Sequence, residues 1–221
     1  MSEDALQNLH KDVMRAIVQN VSDTPLVLKG GTALMFAYQL PRFSEDLDFD
    51  SPKKISLDKR INDALKHIAY VDELKTPKDT STVTRYKLAY TGKGSKSHLS
   101  GHLFIEISHR VDSIDEKVYL IHEGMQIATV ETIVEHKIAA AITGDNPRTA
   151  ARDLFDLKFL TGAHPGAFSS EQWQALRGFL DDPQAVVERY SPAFADDPLL
   201  VDQDPEEIVL TLQANVEANS A

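Results

Sequence analysis

Cysteine is absent from the 221-residue chain, which excludes disulfides and thiolate-held metals. Apolar runs approaching the roughly 20 residues of a membrane span are missing too. The first 20 residues mix charges with apolar residues at helical spacing, unlike a secretion signal. The expectation is a cytoplasmic protein with no membrane partner. Positive charge is scarce: 23 Lys and Arg against 34 Asp and Glu leave a net −11, which argues against a generally basic nucleic-acid binder. No Walker loop, no Ser-His-Asp pattern and no zinc-ligand spacing among the eight histidines is present.

The charge that exists is segregated. From Lys75 to Arg110 there are seven Lys and Arg (Lys75, Lys78, Arg85, Lys87, Lys93, Lys96, Arg110) against Asp79 and Glu106, whereas from Asp181 onward ten acids face Arg189 alone. A basic island beside an acidic arm could steer a polyanion to one face; it could also be two solvated surfaces of opposite sign.

Periodicity gives the organisation. Helices are expected over 4–20, 32–40 (stopped by Pro41) and 56–69, and strands over 26–28, 46–50, 82–90, 102–109 and 126–129. Thr132 with Glu135 reads as a capping box opening an Ala-rich helix to about Thr143. Pro147 reads as the first position of the next helix, running to about Leu160, behind Asn146 as its cap. Further helices are expected at 170–180 and 205–216, with a frayed end over 215–221. The class is α+β: a mixed-sheet domain over 1–129 with flanking helices, followed by a helical domain over 130–221.

Chemistry concentrates early. The run Leu26-Val27-Leu28 ends at Lys29-Gly30-Gly31-Thr32, where a helix begins. Glycines without Cβ let the backbone approach a ligand, and N–H groups at a helix start suit phosphate; a plain tight turn is the simpler alternative. Asp46 and Asp48 then alternate with apolar residues, so on a strand they face the same way and repel unless a cation lies between them. Mg²⁺ takes one or two carboxylates plus substrate phosphates. Glu106, within Phe104-Ile105-Glu106-Ile107, is costly unless it is paired, binds metal or lies on a solvent face. Three carboxylates could hold metal that activates a hydroxyl and stabilises leaving pyrophosphate. Lys137 shares a helical face with Ile133, Val134 and Ala141, so it needs an anionic partner, a triphosphate for example, or must snorkel to water. Arg152 and Asp156 are one turn apart and could pair. Asp153 is then left for Lys137 or the nucleotide.

These residues resemble a known family. Lys29-Gly30-Gly31-Thr32-Ala33-Leu34 followed by Arg42-Phe43-Ser44-Glu45-Asp46-Leu47-Asp48-Phe49 is similar to the core of the AbiEii/AbiGii-type nucleotidyltransferase toxins, within the DNA polymerase β-like superfamily. Glu135-His136-Lys137, Arg148 and Arg152-Asp153-Leu154-Phe155-Asp156-Leu157 match its helical part, so the likeness spans 26–160. The resemblance implies a nucleotidyltransferase-like sheet. It implies Asp46, Asp48 and Glu106 as metal carboxylates for Mg²⁺ (or Mn²⁺), and an NTP substrate on Lys29, Gly30, Gly31, Thr32, Ser44 and Lys137. Lys137 and Asp153 would join the catalytic set. Ser44 matches a serine that kinase-like antitoxins phosphorylate in related toxins. Family members act in toxin–antitoxin or phage-defence systems, and several extend tRNA 3′ ends, so a cognate antitoxin and tRNA or other RNA are the implied partners. Two departures stand out: fourteen residues separate Gly31 from Asp46, long for the superfamily, and the third carboxylate is Glu where Asp is common.

The leading expectation is a metal-dependent nucleotidyltransferase that takes a nucleotide from an NTP to an RNA acceptor such as the tRNA 3′ end. The rivals are nucleotidyl or phosphoryl transfer to a protein or small molecule, and a non-catalytic partner-binding pseudoenzyme whose acidic arm is the surface.

Overall fold

The computed structural model describes residues 3–219. They divide into two compact units, one of Met1–Ala37 with Ser44–Thr129, the other of Tyr38–Phe43 with Val130–Ala221.

The first unit is built on a seven-stranded mixed sheet. Its strands are β1 (Val27–Lys29), β2 (Leu47–Asp50), β3 (Ala69–Asp79), β4 (Val83–Gly92), β5 (Ser100–Ser108), β6 (Tyr119–His122) and β7 (Met125–Ala128), in the order β3-β4-β5-β2-β1-β7-β6. The pairs β1–β7 and β2–β5 are parallel and the others antiparallel. Period-two burial separates the faces. Tyr86, Leu88 and Tyr90 of β4, Leu103, Ile105 and Ile107 of β5, and Leu47 and Phe49 of β2 are buried. Arg85, Phe104 and Glu106, by contrast, point away from that core, exposed or half-buried. Helix α1 (Glu3–Asn20) lies against β5 and β7, and α3 (Asp58–Leu65) against α1 and β3. Leu9, Val13, Met14 and Ile17 form the buried stripe of α1, at the spacing that puts one helix face on a core. Helix α2 (Gly30–Ala37) follows β1 directly.

Two strands of this unit are not foreseen by periodicity. β3 is an exposed edge strand of mostly polar residues, carried by its backbone ladder to β4; its register shifts between Lys75 and Lys78, where Pro77 cannot donate. The edge begins at Ala69, which is why α3 stops at Leu65 rather than 69. β6 pairs with β7 through a tight turn in which Glu123 (φ 48°) and Gly124 (φ 76°) both adopt the left-handed region.

The second unit holds α4 (Val130–Ile138), continued by a π-type turn over Ala139–Thr143, then α5 (Ala151–Ala163), α6 (Ser170–Phe179), α7 (Pro183–Ala195) and α8 (Pro205–Ala218). Two expectations need correction and one helix was not expected. Helix α4 begins at Val130, so Thr132 lies inside it and is no cap. Helix α5 begins at Ala151, and Pro147 sits in the irregular stretch before it. Helix α7 is not legible because Pro192 lies inside it; Asp182 caps its start by accepting from the Ala185 N–H at 3.1 Å. The acidic stretch is packed, since α7 buries Tyr190 and Phe194 and α8 buries Val209 and Leu212. The frayed end expected over 215–221 needs correction as well, since α8 persists to Ala218; residues 220–221 lie outside the described residues.

One packing contact is tight enough to test. A Cβ on Gly101 would sit 2.5 Å from the Tyr90 hydroxyl oxygen, and Tyr90 is fully buried and hydrogen-bonded to His10. Gly101→Ala is expected to destabilise the protein by about 1–3 kcal/mol, the usual cost of overpacking, read as a lower urea midpoint. An unchanged midpoint would show that the Tyr90 ring moves aside freely.

Candidate active site

The glycine step and Asp48 meet. Lys29 pairs with Asp48 in the β1–β2 ladder, and the next residue, Gly30, turns at φ 71° to begin α2. A Cβ on Gly30 would lie 3.1 Å from Asp48 Oδ2. Both glycines belong to the first turn of α2 rather than to a loop before it. Backbone N–H groups of a first helical turn have no partner within the helix, so this turn suits an anion beside the Asp48 carboxylate.

The neighbouring polar residues fix the backbone. Thr32 is 1 % exposed, and its Oγ1 donates to the Asp46 carbonyl at 2.5 Å and lies 2.9 Å from the Ser44 hydroxyl. Lys29 Nζ donates to Asp50 Oδ1 at 2.5 Å. Thr32, Ser44 and Lys29 are therefore brought to the site as its frame. Asp46 lies just before β2, whose first residue is Leu47, rather than within the strand.

Glu106 stands beside Asp48 in the parallel β2–β5 pair, so the two side chains share a face. This is the half-exposed face, and the partner of Glu106 is Arg85, directly opposite on β4. Arg85 Nε donates to Glu106 Oε2 at 2.9 Å, and its Nη2 donates to the same oxygen. The Glu106 carboxylate raises the Arg85 pKa above its ordinary value, and the charges of Asp48 and Asp46 add to the pull. Among the described residues no three His, Cys, Asp or Glu side chains are grouped to hold a metal ion. What the first unit offers is the Asp48 carboxylate against the glycine step, with Asp46 two residues before it. That suits Mg²⁺, which is held by one or two carboxylates and completes its shell with phosphate oxygens and water.

A buried relay holds the approach to Asp46. His10 Nε2 lies 2.7 Å from the Glu45 carbonyl, and Nδ1 lies 2.5 Å from the Tyr90 hydroxyl. A carbonyl only accepts, so Nε2 carries the hydrogen; in the neutral ring Nδ1 then accepts from Tyr90. Burial lowers the His10 pKa below its ordinary value, which favours this neutral form.

In the second unit, Lys137 and Asp153 come together as part of a larger network. Lys137 Nζ reaches Asp153 Oδ1 at 2.8 Å and Asp156 Oδ2 at 2.5 Å. Arg148 Nε donates to Asp153 Oδ2 at 2.6 Å, and Arg42 grips both Asp156 oxygens at 2.7 Å. Three cations thus enclose two aspartates that are at most 1 % exposed. Burial alone would raise the Asp153 pKa, but Lys137 and Arg148 carry it down to about 2. Burial alone would lower the Lys137 pKa, and Asp156 and Asp153 reverse that. The expected Arg152–Asp156 pair is not formed: Arg152 Nε donates to Asp197 Oδ2 at 2.6 Å.

Sequence reasoning missed His10, Tyr90 and the pairings of Arg85 and Arg42. Only Arg85 carried a signal, as a charge alternating with apolar residues on an expected strand, and its partner depends on register.

Comparisons with known proteins give the family and the fold. The family model described as "Nucleotidyl transferase AbiEii toxin, Type IV TA system" matches residues 12–218. Two solved structures from Helicobacter pylori resemble the chain, each with 40% sequence identity, a TM-score of 0.90 and all of this chain covered. One is described as a candidate nucleotidyltransferase and is covered over 96% of its own length. The other is JHP933, covered over 93%. No curated protein matches.

Two outcomes are expected of the site's buried groups. A His pKa depressed in the folded state contributes stability that is complete above the ordinary value of 6.5 and is lost as pH falls through the folded value. The melting temperature should therefore drop on acidification below 6.5, and His10→Gln should show a shallower acid limb; parallel limbs would exclude His10 as the titrating group. In the second unit, Lys137→Met leaves two buried aspartates short of a cation and should cost about 3–5 kcal/mol in urea unfolding. A loss below about 1 kcal/mol, the range of exposed pairs, would show that Arg42 and Arg148 suffice.

Proposed function

The chain belongs to the AbiEii nucleotidyl transferase toxin family of type IV toxin–antitoxin systems, and we propose that it moves a nucleotide from an NTP to an RNA acceptor such as a tRNA 3′ end, with Mg²⁺ or Mn²⁺ held by Asp46 and Asp48. The observation that carries this reading is the approach of the Gly30 backbone to the Asp48 carboxylate. It sets a phosphate-binding helix start against a metal-binding carboxylate, so triphosphate and cation would share one place.

The bound cation would supply charge neutralisation for the phosphates and the leaving pyrophosphate. The chain's own groups do the rest. The first turn of α2 orients the triphosphate through its N–H groups. Thr32 and His10 fix the backbone at Glu45–Asp46. The acceptor hydroxyl oxygen bonds to the α-phosphorus as the bond to the β-bridging oxygen breaks, and pyrophosphate leaves. Both Arg85 donors fall on Oε2 of Glu106, which leaves Oε1 to take the hydroxyl proton. To bind triphosphate, Lys137 would have to exchange an aspartate partner for a phosphate oxygen. The motif resemblance is what gives Lys137 and Asp153 a catalytic role. A cognate antitoxin is the expected protein partner. No helix among the described residues is long and apolar enough to cross a membrane.

Asp48→Ala is expected to abolish transfer of labelled nucleotide from an NTP to RNA and to leave the fold intact. The assay offers tRNA, protein and small-molecule pools separately. A fully active variant would remove this site, and label appearing only in protein or metabolites would move the acceptor away from RNA.

A further inference from the structure

The face of the sheet that carries Asp48 and Glu106 does not end at β5. Side chains directly opposite in a ladder share a face, so the register lays out rows running outward to the edge. One row is Asp48, Glu106, Arg85 and Lys78. The next is Phe104, Lys87 and Lys75, one side-chain repeat or about 6.6 Å along the strands. The row after that is His102, Ala89 and Glu73, and one repeat further on Thr91 of β4, which donates to Asp72, faces Tyr70 of β3.

Two aromatic rings lie open on this face, Phe104 at 44 % and Tyr70 at 59 % exposure. Each has a lysine ammonium over it, Lys87 at 5.7 Å from the Phe104 ring centre and Lys93 at 4.4 Å from that of Tyr70. A phenylalanine left in water at mid-strand forgoes roughly 1.5–3 kcal/mol of burial, so folding does not explain Phe104. Lys75 is paired with Glu73 and Arg85 with Glu106, whereas no ion pair among the described residues engages Lys78 or Lys87. Within a chain of net charge −11, these cations mark a place where a polyanion is attracted rather than repelled.

We infer that this strip is a track for a single-stranded polynucleotide end, with Phe104 as the platform on which a base stacks, Lys87 and Lys78 meeting the phosphates, and Tyr70 as a second platform further out. Open aromatic faces interleaved with lysines are the chemistry of single-strand binding, since every unpaired base has a face to stack and every linkage a charge. A duplex hides its base faces from Phe104. The direction of the strand rests on the transfer reading: the 3′ end must reach Asp48 and Glu106, so the chain runs outward from that row past Phe104 toward Tyr70.

The test is fluorescence anisotropy with a short fluorescein-labelled single-stranded RNA, and with the same strand annealed to its complement, in buffer free of NTP and divalent metal. The wild type is expected to prefer the single strand. Phe104→Ala should weaken single-strand binding about 5- to 100-fold, and Phe104→Trp should restore it. Lys87→Gln should reduce the slope of log affinity against log salt by about 0.7. Equal binding by wild type and Phe104→Ala, or a preference for duplex, overturns the track. Transfer is read separately. A Phe104→Ala protein that binds and extends RNA like the wild type removes the platform and leaves the transferase. Loss of RNA binding in Phe104→Ala, in a protein that labels another acceptor, upholds the track and removes RNA as the acceptor.

Discussion

The approach of the Gly30 backbone to the Asp48 carboxylate is the constraint from which the site follows. It needs a residue without Cβ, because φ is 71° and a methyl group would lie 3.1 Å from Oδ2. It also needs β1 and β2 in one register, Lys29 against Asp48. A slip by one residue would turn Asp48 into the core and Phe49 out of it. Burial of Leu47 and Phe49 therefore does more than stabilise the sheet, because it decides which face the carboxylate occupies. The parallel pairing of β2 with β5 places Glu106 on that same face.

The two units treat carboxylates in opposite ways. In the first, Asp46 and Asp48 are half-buried and Glu106 shares a half-exposed pair with Arg85. Such groups can exchange partners, since the pairing is screened by water and worth little. In the second, Asp153 and Asp156 are sealed among Lys137, Arg42 and Arg148. Removing a cation there strands a buried charge, so that network resists exchange. Exchange of ligands is therefore easier at the first set than at the second.

What the sequence disclosed follows from which interactions are local. Strands β4 and β5 were legible because Tyr86, Leu88, Leu103 and Ile105 alternate with polar residues, and Lys137 demanded an anion because it lies on an apolar helix face. β3 was hidden because an exposed edge strand satisfies its backbone without burying alternate side chains. Helix α7 was hidden because Pro192 argues locally against it, and packing of Tyr190 and Phe194 overrides that. The Arg85–Glu106 and Arg42–Asp156 pairs, 21 and 114 residues apart, depend on register and packing that no local pattern encodes. Glu106 lies on the half-exposed face, beside Asp48 and paired with Arg85.

The fourteen residues between Gly31 and Asp46 are long for the superfamily but not slack. Thr32 to Ala37 complete α2. Tyr38–Phe43 belong to the second unit, where Arg42 is buried against Asp156. Ser44 and Glu45 return to the first unit, held by Thr32 and by His10. Each part of the excursion thus ends in a polar contact that is nearly or wholly removed from water, where leaving one partner unmet costs more than the bond itself contributes. Asp46 enters β2 from a fixed point, and the length of the connection is compatible with a carboxylate pair held in one position. The Tyr90–His10–Glu45 chain reaches this point from the opposite face of the sheet. Protonating His10 would therefore disturb the backbone beside Asp46, because the charged ring can no longer accept from the Tyr90 hydroxyl.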